Sequence, residues 1–503
     1  MNGGAASLNG PVSVVVIAYN DAEHLGQAVT SALAQGEAVG EVVVVDDCST
    51  DATGAVADRL AAANPRVRVV HRAENSGGCG TPRNDGVAAA RGSWIAFLDS
   101  DDVLPTGAVD ALLRAAEKNG ADVAAGLCTR LELPDRREMP WQPQLFETAG
   151  VFDGLGGRPE TVWDTLSVNK LYRRDFLLGK GIRFPDGSQH YEDFTFSARV
   201  YAAAPRFAVV PRSVYVWHTR PGAANPSISL RRDRVTNWTD RIAAHRGALE
   251  ALRRGGEEGL ARAAELKFAA YDVPMYLRDL HRRPAEYRNE WWRTARELLG
   301  SFTEGWLDGA DPATRWRTAV LLGREDPAEA DLGRLAELSA VPPRLAPPAG
   351  GGFPGADAAS ARWDEREPAV PLAGLAEVPA AELPLCVTAD VRPGRRLGIT
   401  LRLAELYGRV REAGPETVTL TLRHRRTGAE LRQSGAWRPA AGPGRRARAA
   451  RAQEARRAPG RGGRRRRRVR LDGGVLAAGL GSARSRGGVG GLGRLRRTGL
   501  QRR

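Results

Sequence analysis

The chain has 503 residues, 42% hydrophobic and 26% charged, enough for about two to four domains with ordinary soluble cores, and no stretch approaches the ~18 uninterrupted apolar residues of a spanning helix. Its net charge of +15 suggests nucleic-acid binding, but residues 441–503 hold 20 Arg against Glu454 and Asp472, a net of +18 that leaves −3 on the other 440 residues. The basic character belongs to the tail, and no specific nucleic acid is expected for the rest.

Residues 1–10 lack a basic segment followed by an apolar one, so no secretory leader is expected, and the sequence predicts a cytoplasmic protein, peripheral to a membrane at most. Residues 12–19 form a β-branched apolar run, the pattern of a strand buried on both faces. Asn20 and Asp21 are placed to cap a following helix whose Leu25, Ala28, Val29, Ala32 and Leu33 recur at helical spacing. Further strands are predicted at 41–46, 67–70, 94–98 and 122–127, with Ser49, Thr50 and Asp51 placed to start a second helix. Strands separated by helices imply a mostly parallel sheet whose ligands lie at the carboxyl ends of its strands. Short strands at 207–210 and 213–217 precede a helical pattern over 233–302, and Gly and Pro cluster in a linker near 342–355. Strands at 384–391, 397–403 and 417–422 then suggest a small β domain. The expected division is a catalytic domain 1–230, a helical region 231–341, a linker 342–365, a β domain 366–440 and a tail 441–503.

The polar residues with chemical interest fall at strand ends. Phe97-Leu98-Asp99-Ser100-Asp101-Asp102 puts carboxylates at i and i+2 as a strand finishes, where both can address one hard cation such as Mn2+ or Mg2+. An acidic turn or helix cap accounts for such a pair equally well. Asp46-Asp47 follows another strand, and Asp47 is free to accept from a base or ribose if Ser49 or Asp51 caps the helix. Asn75 to Asn84 is rich in glycine and contains Arg83, a candidate for phosphate; its glycines do not fit a dinucleotide fingerprint. Glu192-Asp193 sits between Tyr191 and Phe194, either a site or a helix start, and His218 is a core residue, metal ligand or phosphate donor. Cys48, Cys79, Cys128 and Cys386 make no CxxC pair, which argues against a disulfide framework or zinc site.

Together, Val14 to Asn20, Val45 to Asp51, Arg83-Asn84-Asp85-Gly86 and Phe97 to Asp102 resemble the family 2 glycosyltransferases of the GT-A fold, over roughly residues 11–230. The resemblance implies an α/β domain in which Ala18, Tyr19 and Asp47 hold a nucleotide base, Arg83 and Asn84 lie at the donor, Asp99 meets ribose or metal, and Asp101 with His218 binds Mn2+ or Mg2+. It makes Asp193, paired with Glu192, the general base of an inverting transfer from a nucleotide-sugar. The family's usual glycine after the Asp pair is Cys48 here, and the Gly-rich loop carries Cys79. Asn169 to Arg174, Tyr191-Glu192-Asp193, Trp217-His218 and Ser227-Ile228-Ser229 are similar to Gram-positive enzymes that glycosylate wall teichoic acids. That similarity implies a glycopolymer or lipid-linked acceptor, work at the inner face of the plasma membrane and a homo-oligomer.

Two alternatives remain at this level. A metal-dependent nucleotidyltransferase would share the nucleotide site and release pyrophosphate, and a scaffold could bind nucleic acid or anionic lipid through the tail. The tail is Arg, Gly and Ala without aromatics, so it is expected to be disordered. GC-rich codons specify the same residues, and a frameshift near residue 440 that truncates the β domain is an equivalent expectation.

Overall fold

The computed structural model describes residues 10–220, 231–327 and 329–338, with short pieces between 360 and 496. The chain forms two compact units, 1–268 and 269–503. The first is built on a nine-stranded sheet. Strands β1 (Val12–Ala18), β2 (Val39–Asp46), β3 (Val67–His71) and β4 (Trp94–Asp99) alternate with helices α1 (Leu25–Leu33), α2 (Thr53–Ala63) and α3 (Gly80–Ala89). All four strands run parallel, with β1 between β2 and β4 and β3 outside β2. Every residue of β1 and β2 is buried, which is why both are rich in valine, and the polar pair they do contain, Ser13 and Glu41, is hydrogen-bonded at 2.7 Å. Gly86 lets α3 lie directly on β1, since a Cβ there would come within 2.2 Å of Val15 Cγ1.

Beyond β4 the sheet turns mixed. Helix α4 (Ala108–Asn119) leads to β5 (Val123–Glu132), β6 (Arg137–Trp141), β7 (Gly150–Asp153), β8 (Lys170–Arg173), helices α5 (Arg174–Gly179) and α6 (Glu192–Ala202), and β9 (Arg206–Thr219). The main path is β3-β2-β1-β4-β8-β5-β9-β7, with β6 on β5. The short strands predicted at 207–210 and 213–217 are one strand, β9, bent by register shifts opposite residues 126–128. Residues 127–143 are mostly the β5–β6 hairpin.

Helices α7 (Thr236–Arg254) and α8 (Glu258–Lys267) complete the first unit, so it extends past the expected boundary at 230. In the second unit, α9 (Val273–Leu280), α10 (Ala285–Gly300), α11 (Pro312–Gly323) and α12 (Glu329–Leu338) bury Trp291, Trp292 and Trp316. Fully buried Arg315 donates to the carbonyls of Leu307, Ala310 and Pro371. A two-stranded sheet of β10 (Ser360–Ala361) and β11 (Val370–Pro371) follows. A second sheet contains β12 (Cys386–Arg392), β13 (Gly398–Ala404), β14 (Thr417–Arg423), β15 (Glu430–Ala436), β16 (Leu476–Gly481) and β17 (Gly493–Arg496). β16 and β17 come from the tail that composition marked as disordered; its other residues, and nearly all of the linker, lie outside the described residues. No described helix is long and apolar enough to cross a membrane.

Candidate active site

The carboxyl ends of β1, β2 and β4 and the start of α6 meet at one place. At β1, Ala18 is buried and its carbonyl accepts from the backbone of Asp47, while Tyr19 leaves its ring half exposed. Asn20 and Asp21 do not cap α1, which begins at Leu25 without a side-chain cap. Asn20 Oδ1 instead accepts from the backbone of Thr50 and Asp51, tying the loops after β1 and β2 together. Helix α2 likewise starts at Thr53 without a side-chain cap. Asp51 accepts from Thr53 N at 2.8 Å, and Ser49 Oγ accepts from Asn20 N.

Asp47 is not free. Its carboxylate takes Arg72 Nε at 2.7 Å, Asn75 Nδ2 at 3.0 Å and Ser76 Oγ at 2.8 Å. It therefore shapes the 75–78 loop as well as facing the site. Cys48 has φ +60°, a left-handed conformation natural to the glycine usual at this position and mildly strained in a cysteine.

The turn after β4 carries Asp99, Asp101 and Asp102. Asp102 is buried and structural: Oδ2 accepts from Tyr215 Oη at 2.6 Å and Oδ1 from the backbone of His218 at 2.7 Å. Burial, then Asp101 and Asp99, push its carboxyl well above the usual range. The Tyr215 hydroxyl also accepts from Asp99 N at 3.2 Å, so one β9 side chain holds the whole acidic turn. Sequence reading missed Tyr215, whose position within a β9 strand looks like ordinary core. Tyr215→Phe is expected to cost about 1–3 kcal/mol by leaving Asp102 with a buried, unpaired oxygen. Chemical denaturation checks this, and an unchanged midpoint would show the bridge to be dispensable.

Asp101 is one-third exposed and meets Arg220 Nη1 at 3.4 Å. Burial, Asp99 and Asp21 push its carboxyl up to about 6. His218 Nδ1 lies 2.8 Å from the Asp101 carbonyl, which requires the proton on Nδ1 and leaves the Nε2 lone pair available. Burial lowers the His218 pKa, favouring this neutral form. Ser100 Oγ donates to Asp21, which also holds His24 Nδ1 at 2.5 Å.

Arg83 joins this turn to α6. Its guanidinium is buried, with Nη2 2.7 Å from Asp99 Oδ1 and Nη1 bound to Glu192 and, at 3.3 Å, to Asp193. It stands over the Phe184 ring, itself stacked on Phe196 at 3.8 Å. The expected approach of Arg83 to donor thus appears as a clamp on three carboxylates. Asn84 is turned away: its amide bonds Phe184 N, Phe184 O and Asp186. Tyr191, at φ +61°, turns the chain so that Glu192 and Asp193 open α6 facing Arg83. Burial and then Asp193 push Glu192 up to about 7, against the pull of Arg83. Burial raises Asp193 as well, opposed by Arg83 and a 2.6 Å hydrogen bond from Ser167 Oγ.

Asp21, Asp99, Asp101, Glu192 and Asp193 outnumber Arg83 and Arg220 here, so a diphosphate would be repelled without an added cation. The Asp101 carboxylate is an oxygen donor of the kind Mn2+ or Mg2+ takes, and a His218 Nε2 ligand beside it would favour Mn2+ over Mg2+. Among the described residues no three His, Cys, Asp or Glu side chains gather as a metal cluster, so substrate oxygens would have to complete the coordination.

A mixed sheet with a parallel core of β1 to β4, flanked by helices and with an acidic turn after β4, is the architecture of the GT-A fold. Residues 13–178 match the family described as Glycosyl transferase family 2. The chain is 36% identical over 258 residues to the succinoglycan biosynthesis protein ExoO of Rhizobium meliloti, covering 50% of this chain and 70% of the relative. It is 36% identical to glycosyltransferase GlyG of Streptococcus pneumoniae over 46% of this chain and 79% of the relative. The chain belongs to the family 2 glycosyltransferases. Staphylococcus aureus TarS, a poly(ribitol-phosphate) beta-N-acetylglucosaminyltransferase, is 31% identical over 41% of this chain but only 35% of its own length. Its 1–349 structure with UDP-GlcNAc superposes with a TM-score of 0.51 at 20% identity, covering 71% of this chain and 98% of that one, which shows the shared fold. Ser227-Ile228-Ser229 lies outside the described residues.

Proposed function

We propose that this chain is an inverting glycosyltransferase moving a sugar from a nucleotide-diphosphate donor, a UDP-sugar, to a hydroxyl of a cell-wall or surface glycopolymer. The carrying observation is the single Arg83 guanidinium bound to Asp99 on the donor side and to Glu192 and Asp193 on the acceptor side. The names of ExoO and TarS support a glycopolymer acceptor, and the TarS complex supports a UDP-linked donor. A polymeric or lipid-linked acceptor fits work by a cytoplasmic, membrane-peripheral enzyme, as a homo-oligomer.

In this reading Tyr19 lies against the base, with Ala18 and Asp47 beside it. Asp101 and His218, with Asp99 nearby in the same turn, would hold a divalent cation, which would supply the charge neutralisation that the departing diphosphate needs. Asp193 receives the acceptor proton as the hydroxyl attacks the anomeric carbon from the face opposite the diphosphate, and the configuration inverts. Arg83, itself anchored by Glu192, holds the Asp193 carboxylate and keeps part of the acid cluster neutralised as the proton moves.

Nucleoside-diphosphate release from UDP-, GDP- and CDP-sugars, with and without Mn2+, tests the reading. Release from a UDP-sugar that needs Mn2+ and is lost in Asp101→Ala is expected. Cation-independent release, or equal turnover in the variant, would overturn it. Asp101 must be ionised to ligate, so Mn2+ affinity should rise with pH through about 6. Half-saturation about tenfold weaker at pH 5 than at pH 7.5 is expected, and a pH-independent value would remove Asp101 from the coordination.

A further inference from the structure

The loop before β8 contains a buried polar layer that the mechanism above leaves unused. Lys170 and Asp164 are both buried and pair at 2.7 Å. Lys170 Nζ also donates to the Leu166 carbonyl and to Asn169 Oδ1, and Asn169 Nδ2 to Asp164 Oδ2 at 3.1 Å. Tyr172 Oη donates to the Ser167 carbonyl at 2.8 Å, and Tyr201 Oη to that of Asp164 at 2.7 Å. Five polar side chains thus fix residues 164–170 in the interior, with one buried acceptor, Asp164 Oδ1, left without a partner.

That layer delivers one group to the site. Ser167 is fully buried, and its hydroxyl donates to Asp193 Oδ1 at 2.6 Å, the oxygen also met by Arg83. Asp193 Oδ2 accepts no hydrogen bond from the described residues. We propose that Ser167 is a positioning residue for the Asp193 base, held by the Lys170–Asp164 layer so that Oδ1 is saturated and Oδ2 alone faces the acceptor hydroxyl. This rests on Asp193 being the base. A serine fixed in this way sets the carboxylate's rotation and stabilises its ionised form, both of which a base requires before it can take a proton.

The charged and titratable groups around Asp193 include Arg83 and the buried Cys79 at α3, Asp99 from β4, Lys170 and Tyr172 from β8 and its neighbour Glu192; Arg241 of α7 and Lys267 of α8 lie over the adjoining Tyr191 and Phe194 rings. Removing the Ser167 hydroxyl withdraws one of the influences that keep Asp193 ionised, so its pKa should move up and the acidic limb of the kcat profile with it.

The test is steady-state kinetics of Ser167→Ala in the full chain, with nucleoside diphosphate binding measured separately. A kcat about 10- to 100-fold lower is expected, from loss of a hydrogen bond to a charged group. Donor KM and UDP affinity should be unchanged, and the acidic limb should shift upward. Ser167→Cys, nearly isosteric and a poor donor, carries the same expectation if the alanine variant does not fold, and Ser167→Thr should recover part of kcat. Wild-type kcat and pH profile in Ser167→Ala, or in Ser167→Cys where the alanine variant does not fold, would overturn the proposal. Asp193→Ala measured alongside separates the two failures. If it is inactive while the Ser167 variants are normal, only the positioning role is lost; if it is active, the assignment of the base fails first.

Discussion

Asp193→Ala should lower kcat by about 10²–10⁴-fold, the usual contribution of general-base assistance, while leaving nucleotide affinity intact. The split follows from where the side chain stands. Asp193 lies at the first turn of α6, away from the loops after β1 and β2, and its described partners are Ser167 and Arg83. Asp193→Asn keeps the shape and removes the basicity, so it should be nearly as impaired as the alanine variant. Glu192→Gln is the control. Glu192 is the more deeply buried acid and its oxygen is bound by Arg83, so it is expected to reduce rather than abolish turnover. Calorimetric binding of UDP to each variant, beside initial rates, checks the set. Near-normal turnover in Asp193→Asn would take the base role away from Asp193.

Arg83→Met should produce the largest loss of stability of any single change at the site. The guanidinium is almost wholly buried and meets Asp99, Glu192 and Asp193 at once. Without it three carboxylates face one another in a poorly solvated space, and breaking a buried ion network by removing one partner costs about 3–5 kcal/mol. For a unit of this size that is a fall in Tm of about 10 °C. The pH dependence gives the signature. Arg83 pulls the acids down against burial, so its loss raises their folded pKa values further above the unfolded ones. A carboxyl whose folded pKa is raised destabilises when ionised, and the penalty is relieved as pH falls and the group takes up a proton. The deficit of the variant relative to wild type should therefore shrink between pH 8 and pH 5. A deficit that holds constant or grows toward low pH would mean that the role of Arg83 is packing against Phe184 rather than charge.

Much of the first unit could be read directly from the chain. The valine runs of β1 and β2 are buried on both faces, and a pattern with no polar alternation admits little else. The acids at the ends of β2 and β4 were legible for the same reason, because the strand ends fix where the chain leaves the core. The β9 strand was read as two pieces because Pro211 and Arg212 interrupt its apolar run, whereas pairing with β5 absorbs the irregularity as a register shift. Local signals failed at the helix starts. Asn20 and Ser49 looked like caps, but their side chains bind each other's loops across about 30 residues of sequence, whereas Asp51 does accept from Thr53 N at the start of α2.

The sequence alone therefore determined the parallel core and the acidic strand ends, since each rests on short-range pattern, whereas the Glu192-Asp193 pair was singled out by the family resemblance. Only the tertiary structure decided what those groups do to one another. Arg83 reaches Glu192 and Asp193 across 109 and 110 positions, and Tyr215 reaches Asp102 across 113. It also showed Asp47 already bound, Asn84 turned away and Ser167 donating to Asp193. Such pairings leave no periodic trace in a single chain, because a hydrogen bond depends on distance and direction in the fold, and one buried side chain can satisfy whichever partner the packing brings to it.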